Sequence, residues 1–154
     1  MNLFGLMQTS GSAMQAERLR AEVVAANMAN AETTRTESGG PYKRQHVVFA
    51  SNQPDPDFYG TLHAAFSNAA VSQSDEAPGG VHIAQVIEDE AEPMKRYDPG
   101  HPDAGPDGYV AYPDINPTVE MVDLMGAARA YGLNGSAVQA EKGMINSALE
   151  IGKS

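Results

Sequence analysis

Asp98, His101, Asp103 and Asp107 crowd into one Pro/Gly-rich stretch, 97–109 (YDPGHPDAGPDGY). As oxygen and nitrogen donors, they could together hold a divalent cation. Their spacing does not follow the calcium-loop template, and no second histidine stands at zinc-ligand distance in the sequence. Asp-Pro-Gly and Pro-Asp-Gly also have a backbone reason to exist, because proline presets φ and glycine supplies positive φ in turns. Structural turns are therefore expected here, with a metal-responsive binding loop as the alternative.

The other chemistry-bearing residues are weaker candidates. Glu88, Asp89, Glu90 and Glu92 could supply paired carboxylates for acid–base work, but consecutive acids without apolar cover read as a solvated face. His46, His63, His82 and His101 share no motif. Ser10-Gly11-Ser12 lacks the strand–elbow–helix setting of a hydrolase nucleophile, and no phosphate-binding loop occurs. With 0 cysteines there is no thiolate metal site or cysteine nucleophile. No catalytic residue, cofactor or bound metal is expected, and the chain reads as a non-enzyme. Asn27 and Asn30, three apart, have two readings. Their amides bond backbone groups of neighbouring subunits, or Asn30 simply closes a frayed helix end.

The elements that must position these residues divide the chain into three. All 10 prolines lie between Pro41 and Pro117, and of the 8 methionines only Met94 lies in that span. Residues 1–36 form an N-terminal helical arm, 37–115 a β-containing middle, and 116–154 a C-terminal helical arm that pairs with the first. In the first arm Leu3, Met7, Ser10, Met14, Glu17, Ala21, Val24, Met28 and Ala31 keep coiled-coil spacing. A second row runs through Ala16, Leu19, Val23, Ala26 and Asn30. In the second arm Asn116 is set to cap a helix with Pro117 at its first position. Met121, Leu124, Ala128, Tyr131, Gly135, Val138, Lys142, Ile145 and Leu149 then form one seam; Ala127, Ala130, Asn134, Ala137, Glu141, Met144, Ala148 and Ile151 form another. Gly126, Gly132, Gly135 and Gly143 each cost a helix about 1 kcal/mol relative to alanine, and suit close approach in a crowded bundle. In the middle, 44–50 and 81–88 read as strands, with shorter ones at 94–97 and 109–111. The polar stretch near 51–80 reads as a mobile loop with one helical turn at 62–69. The fold class is α+β.

Seam positions are as often Ala, Gly, Ser or Asn as large and apolar. A lone pair of such helices is marginal, so the arms are expected to be interfaces that order fully against further copies or relatives. The assembly residues expected are Leu3, Met7, Met14, Ala21, Val24, Asn27, Met28, Asn30, Met121, Leu124, Ala128, Tyr131, Val138, Ile145 and Leu149. Ten Lys+Arg against twenty Asp+Glu give a net charge of −10, which disfavours nucleic acid and anionic lipid as partners. No apolar run reaches the roughly 20 residues a bilayer crossing needs, so membrane insertion is not expected.

At 25–34 (AANMANAETT) the chain resembles the bacterial flagellar axial proteins, whose N-terminal helix ends in an Ala-Asn-Asn-x-Ala-Asn-type motif followed by threonines. Ala26 departs from it, standing where many members carry the first Asn of a pair. The likeness continues through 40–45 (GPYKRQ), 80–83 (GVHI), 97–104 (YDPGHPDA), 108–113 (GYVAYP) and 120–123 (EMVD). It implies terminal helices packed as a coiled-coil domain in the wall of a tube, around a compact β-containing middle. It further implies a structural subunit of the proximal rod of the flagellar basal body, carrying motor torque in motility. Its partners would be copies of itself, other rod proteins and the flagellar type III export apparatus. Its place would be the periplasmic rod, reached without a cleavable signal peptide. Another rod or hook subunit is the alternative within the family.

Overall fold

The computed structural model describes residues 3–52 and 79–153. Its elements run α1 (Leu3–Ala29), β1 (Gln45–Ser51), β2 (Val81–Glu88), β3 (Met94–Tyr97), β4 (Tyr109–Tyr112) and α2 (Pro117–Ile151). The architecture is α+β, two long terminal helices around small antiparallel strands. The expected helical turn at 62–69, and His63 with it, lie outside the described residues.

The start of α2 follows from its first two residues. Asn116 has extended backbone, its side chain accepts the Thr118 N–H at 2.9 Å, and Pro117 takes a position that needs no amide hydrogen. Asn116→Ala is expected to lower stability by about 1 kcal/mol in urea unfolding, since one first-turn donor loses its acceptor. At the other end of the chain α1 stops at Ala29, two residues before the expected Ala31. Asn30 turns its amide back onto the Ala26 carbonyl at 2.9 Å and accepts the Thr33 hydroxyl at 3.2 Å, local bonds that compete with another helical turn.

The helices run antiparallel, with Asn27 near the end of α1 beside Glu120 at the start of α2. The core is thin: among the described residues the buried apolar side chains are Ala16, Val23, Val24, Val110, Ile115 and Ala127. On α1 the first expected seam turns inward from Met7 to Met28, every member buried or half-buried. On α2 the inward face instead takes Leu124, Val138 and Ile145 from one row and Ala127 and Glu141 from the other. A strict heptad row drifts about 20° per heptad around a straight helix, so neither row faces one neighbour along the whole of α2.

β1 and β2 pair antiparallel from Gln45↔Glu88 to Ser51↔Val81, with a bulge between Val48 and Phe49. β3 and β4 pair separately, Met94↔Tyr112 to Tyr97↔Tyr109. A two-stranded ribbon is marginal alone, and here both strands of the first ribbon rest on α1. One end of that ribbon is tied to α1 by side chains: Ser12 Oγ accepts the Val81 N–H at 3.1 Å, and the Thr9 hydroxyl donates to the Gly79 carbonyl at 3.2 Å.

Candidate assembly interface

Among the described residues the most densely bonded point is the root, where α1 ends, α2 begins and the lead-in to β1 passes. Glu120, 1% exposed, meets the Arg44 guanidinium; Nε donates to Oε1 at 2.7 Å and Nη2 contacts the same oxygen. Its other oxygen accepts from Asn27 Nδ2 at 3.1 Å. Asn27, also 1% exposed, spends its whole amide inside the chain. Nδ2 also donates to the Gln45 carbonyl at 2.9 Å, and Oδ1 accepts the Gln45 N–H at 2.9 Å and the Tyr42 hydroxyl at 3.2 Å. Two donors and two acceptor sites are the full capacity of an asparagine amide. Burial first, then the Glu88 and Glu120 carboxylates, raise the Tyr42 pKa, which keeps that hydroxyl a donor. Asp123 adds longer contacts, 3.8 Å to Arg44 and 3.5 Å to Arg20, and Arg20 lies 3.7 Å from Glu17.

The structure treats the two arms differently. Met7, Met14, Ala21, Met28 and Asn30 are half-buried and Val24 is buried; Leu3 is the first residue of α1. On α2, Leu124, Val138 and Ile145 are half-buried, whereas Met121, Ala128, Tyr131 and Leu149 are exposed. The amide of Asn27 bonds the backbone of β1 in its own chain, and Asn30 closes its own helix. Beyond these, Val119, Val122, Met125, Leu133, Met144 and Ile151 are also exposed, with Leu133 at 73%. Those positions belong to α2's outer sides, and an exposed apolar surface of this extent marks a site of interaction. A methyl group added at Gly126, Gly132, Gly135 or Gly143 would meet nothing within 4 Å, so these glycines do not serve the approach of α1 to α2. Glu141 is buried, and its Oε2 has no hydrogen-bond partner among the described residues.

The acidic stretch at 97–109 is folded as turns. The Asp98 N–H donates to the Gly108 carbonyl, His101 N–H to Asp98, Ala104 N–H to His101 and Gly108 N–H to Gly105. Gly108 needs to be glycine twice over: its φ is +74°, and a Cβ would come within 2.8 Å of the Tyr97 ring. Asp103 is engaged by the Thr34 hydroxyl at 2.8 Å and Arg35 at 3.7 Å, and His101 Nδ1 accepts the Asp103 N–H. Among the described residues no three His, Asp or Glu side chains come together to hold a metal. In the acid run Glu88, Glu90 and Glu92 are exposed. Asp89 bonds His46 at 3.2 Å; that bond, and then the Ala91 N–H, hold its carboxyl below the ordinary aspartate range. His82 bonds Asn52 at 2.6 Å. No described helix is long and apolar enough to cross a membrane.

Both arms match known families. Residues 7–35, nearly all in α1, match the family described as flagella basal body rod protein, and 107–151, which include α2, match the C-terminal family of the flagellar basal body rod FlgEFG proteins. The class is therefore that of flagellar rod subunits. Full-length relatives narrow it. The flagellar basal-body rod protein FlgC of Bacillus subtilis is 38% identical over 99% of this chain and 100% of its own length. That of Borreliella burgdorferi is 36% identical over 98% of each, and that of Salmonella typhimurium 35% over 99% and 100%. The chain belongs to the flagellar basal-body rod protein FlgC family, structural subunits of that rod.

Proposed function

We propose that the chain is a non-enzymatic subunit of the proximal rod that assembles through its helical arms, 1–36 and 116–154, and carries motor torque. The 37–115 middle is then borne on the root of the arm pair. The observation that carries this reading is the outer surface of α2, apolar on several sides and open at every interior glycine. Met121, Ala128, Tyr131 and Leu149 face other subunits, while Leu124, Val138 and Ile145 line the contact with α1. The partners proposed are copies of the chain and other rod proteins in the periplasmic rod, with delivery by the flagellar type III export apparatus. A thin core, helical glycines and a buried carboxylate oxygen without a partner among the described residues suit a chain that passes through a narrow conduit and orders on arrival. Complementation of a deletion strain tests the whole reading: restored swimming, with rods in purified basal bodies, is expected, and swimming without the chain in the rod would refute it.

A second test addresses the glycines. Gly132→Ala is expected to stabilise the isolated chain by up to about 1 kcal/mol, because the new methyl gains helix propensity and meets nothing. In cells the same change is expected to reduce incorporation into basal bodies, because the methyl stands where a neighbouring helix approaches. Normal incorporation would mean that no close neighbour passes there.

A further inference from the structure

We propose that the Asn27–Arg44–Glu120 cluster is a stiff joint that fixes the angle of the β1–β2 ribbon on the arm pair. The reading of the chain as an assembling subunit is not needed for this inference, which concerns the single chain.

Three separate segments meet at the cluster. Glu120 belongs to the first turn of α2, Asn27 to the last turns of α1, Gln45 to the start of β1 and Arg44 to the residue just before it. α2 makes its element contacts with α1, not with either strand of the ribbon. The ribbon is therefore connected to α2 chiefly through Arg44, which reaches Glu120 and Asp123. Apolar contact between α1 and β1 would allow the ribbon to slide or tilt, since such contact is non-directional. The bonds at the root are directional. Asn27 grips both backbone groups of Gln45, which fixes the rotation and register of β1 against α1. Its remaining donor goes to Glu120, which also fixes the Arg44 guanidinium. A displacement of the ribbon by one residue would take the cation from buried Glu120 and the Gln45 backbone groups from the buried Asn27 amide. Specificity of arrangement, rather than net stability, is what a buried ion pair of this kind contributes.

The test measures stiffness, which an ordinary stabilising contact would not move. The chain has 0 cysteines, so Arg129→Cys on α2 and Ala84→Cys on β2, both exposed, give two unambiguous spin-label sites. Pulsed electron paramagnetic resonance on the purified full chain should give one narrow distance distribution. Two backgrounds are compared. Glu120→Met with Arg44→Met removes both charges and leaves neither orphaned; Arg44→Lys keeps the charge and loses the planar fork. Each is expected to broaden the distribution about twofold, because the ribbon then loses its directional link to α2 and keeps only its bonds to α1 through Asn27, Ser12 and Thr9, while circular dichroism stays helical. A broad distribution in the parent, or an unchanged width in Arg44→Lys, overturns the joint. Should the double variant lose its helicity, the Arg44→Lys width alone decides in the same sense.

Discussion

Glu120→Ala is expected to lower the unfolding free energy of the chain by about 3–5 kcal/mol, the largest effect of any single polar substitution here. The loss has two parts. Arg44 would keep its guanidinium three-quarters buried, at 24% side-chain exposure, with only the longer Asp123 contact left for its charge. Asn27 Nδ2 would lose one of its two acceptors in a place water barely reaches. Ordinary domains have about 5–15 kcal/mol in all, and few large side chains are buried among the described residues, so the variant should be substantially unfolded at room temperature. Removing Arg44 as well should recover most of the loss, because breaking a buried pair costs more than replacing both partners by apolar groups. Urea unfolding of parent, Glu120→Ala and the Glu120→Met/Arg44→Met pair measures this. Equal loss in both variants would show that the pair itself, and not the orphaned charge, carries the energy.

The second large effect is expected in the cell. Val24→Asp places a carboxylate at a 7% exposed position in the α1–α2 seam. The nearest cation on its own helix, Arg20, one turn away, already serves Glu17 and Asp123. The new charge would lie unpaired in the contact that orders both arms, a cost of several kcal/mol. Swimming should be abolished in soft agar and the chain missing from purified basal bodies. Val138→Asp, on a half-buried residue, should give the same defect in weaker form. Wild-type swimming haloes from Val24→Asp would mean that this seam does not matter to the assembly.

The elements were legible in the sequence because their signals are local. The cap at Asn116 and the strand runs at 81–88 and 94–97 act within a few residues and appear where expected, and β1 is shifted by one residue from 44–50 to Gln45–Ser51. The root cluster was not legible. Asn27 and Glu120 are 93 positions apart, and nothing in the pattern around either residue says that it will be buried. On α2 the face turned to α1 falls between two equally good apolar rows, because a helix that is sticky all round does not declare which side its own chain will take. The acidic turn stretch was ambiguous for a simpler reason: Asp-Pro-Gly suits both a turn and a cation, and only the bonds of Asp103 to Thr34 and Arg35 show how that carboxylate is spent.

The antiparallel pairing of the arms also has a consequence for the helix dipoles. At the root the positive end of α2 lies beside the negative end of α1. Glu120 is the acid in the first turn of α2, and Arg44 reaches it beside the last turns of α1, so each charge suits the helix end nearest it. At the far end the polarity is reversed and unattended: α1 has no acid in its first turn, and α2 no base in its last. The favourable charge–dipole terms are therefore gathered at one end of a helix pair about 40 Å long. A neighbour offering an anion to the start of α1 or a cation to the end of α2 would complete the pair.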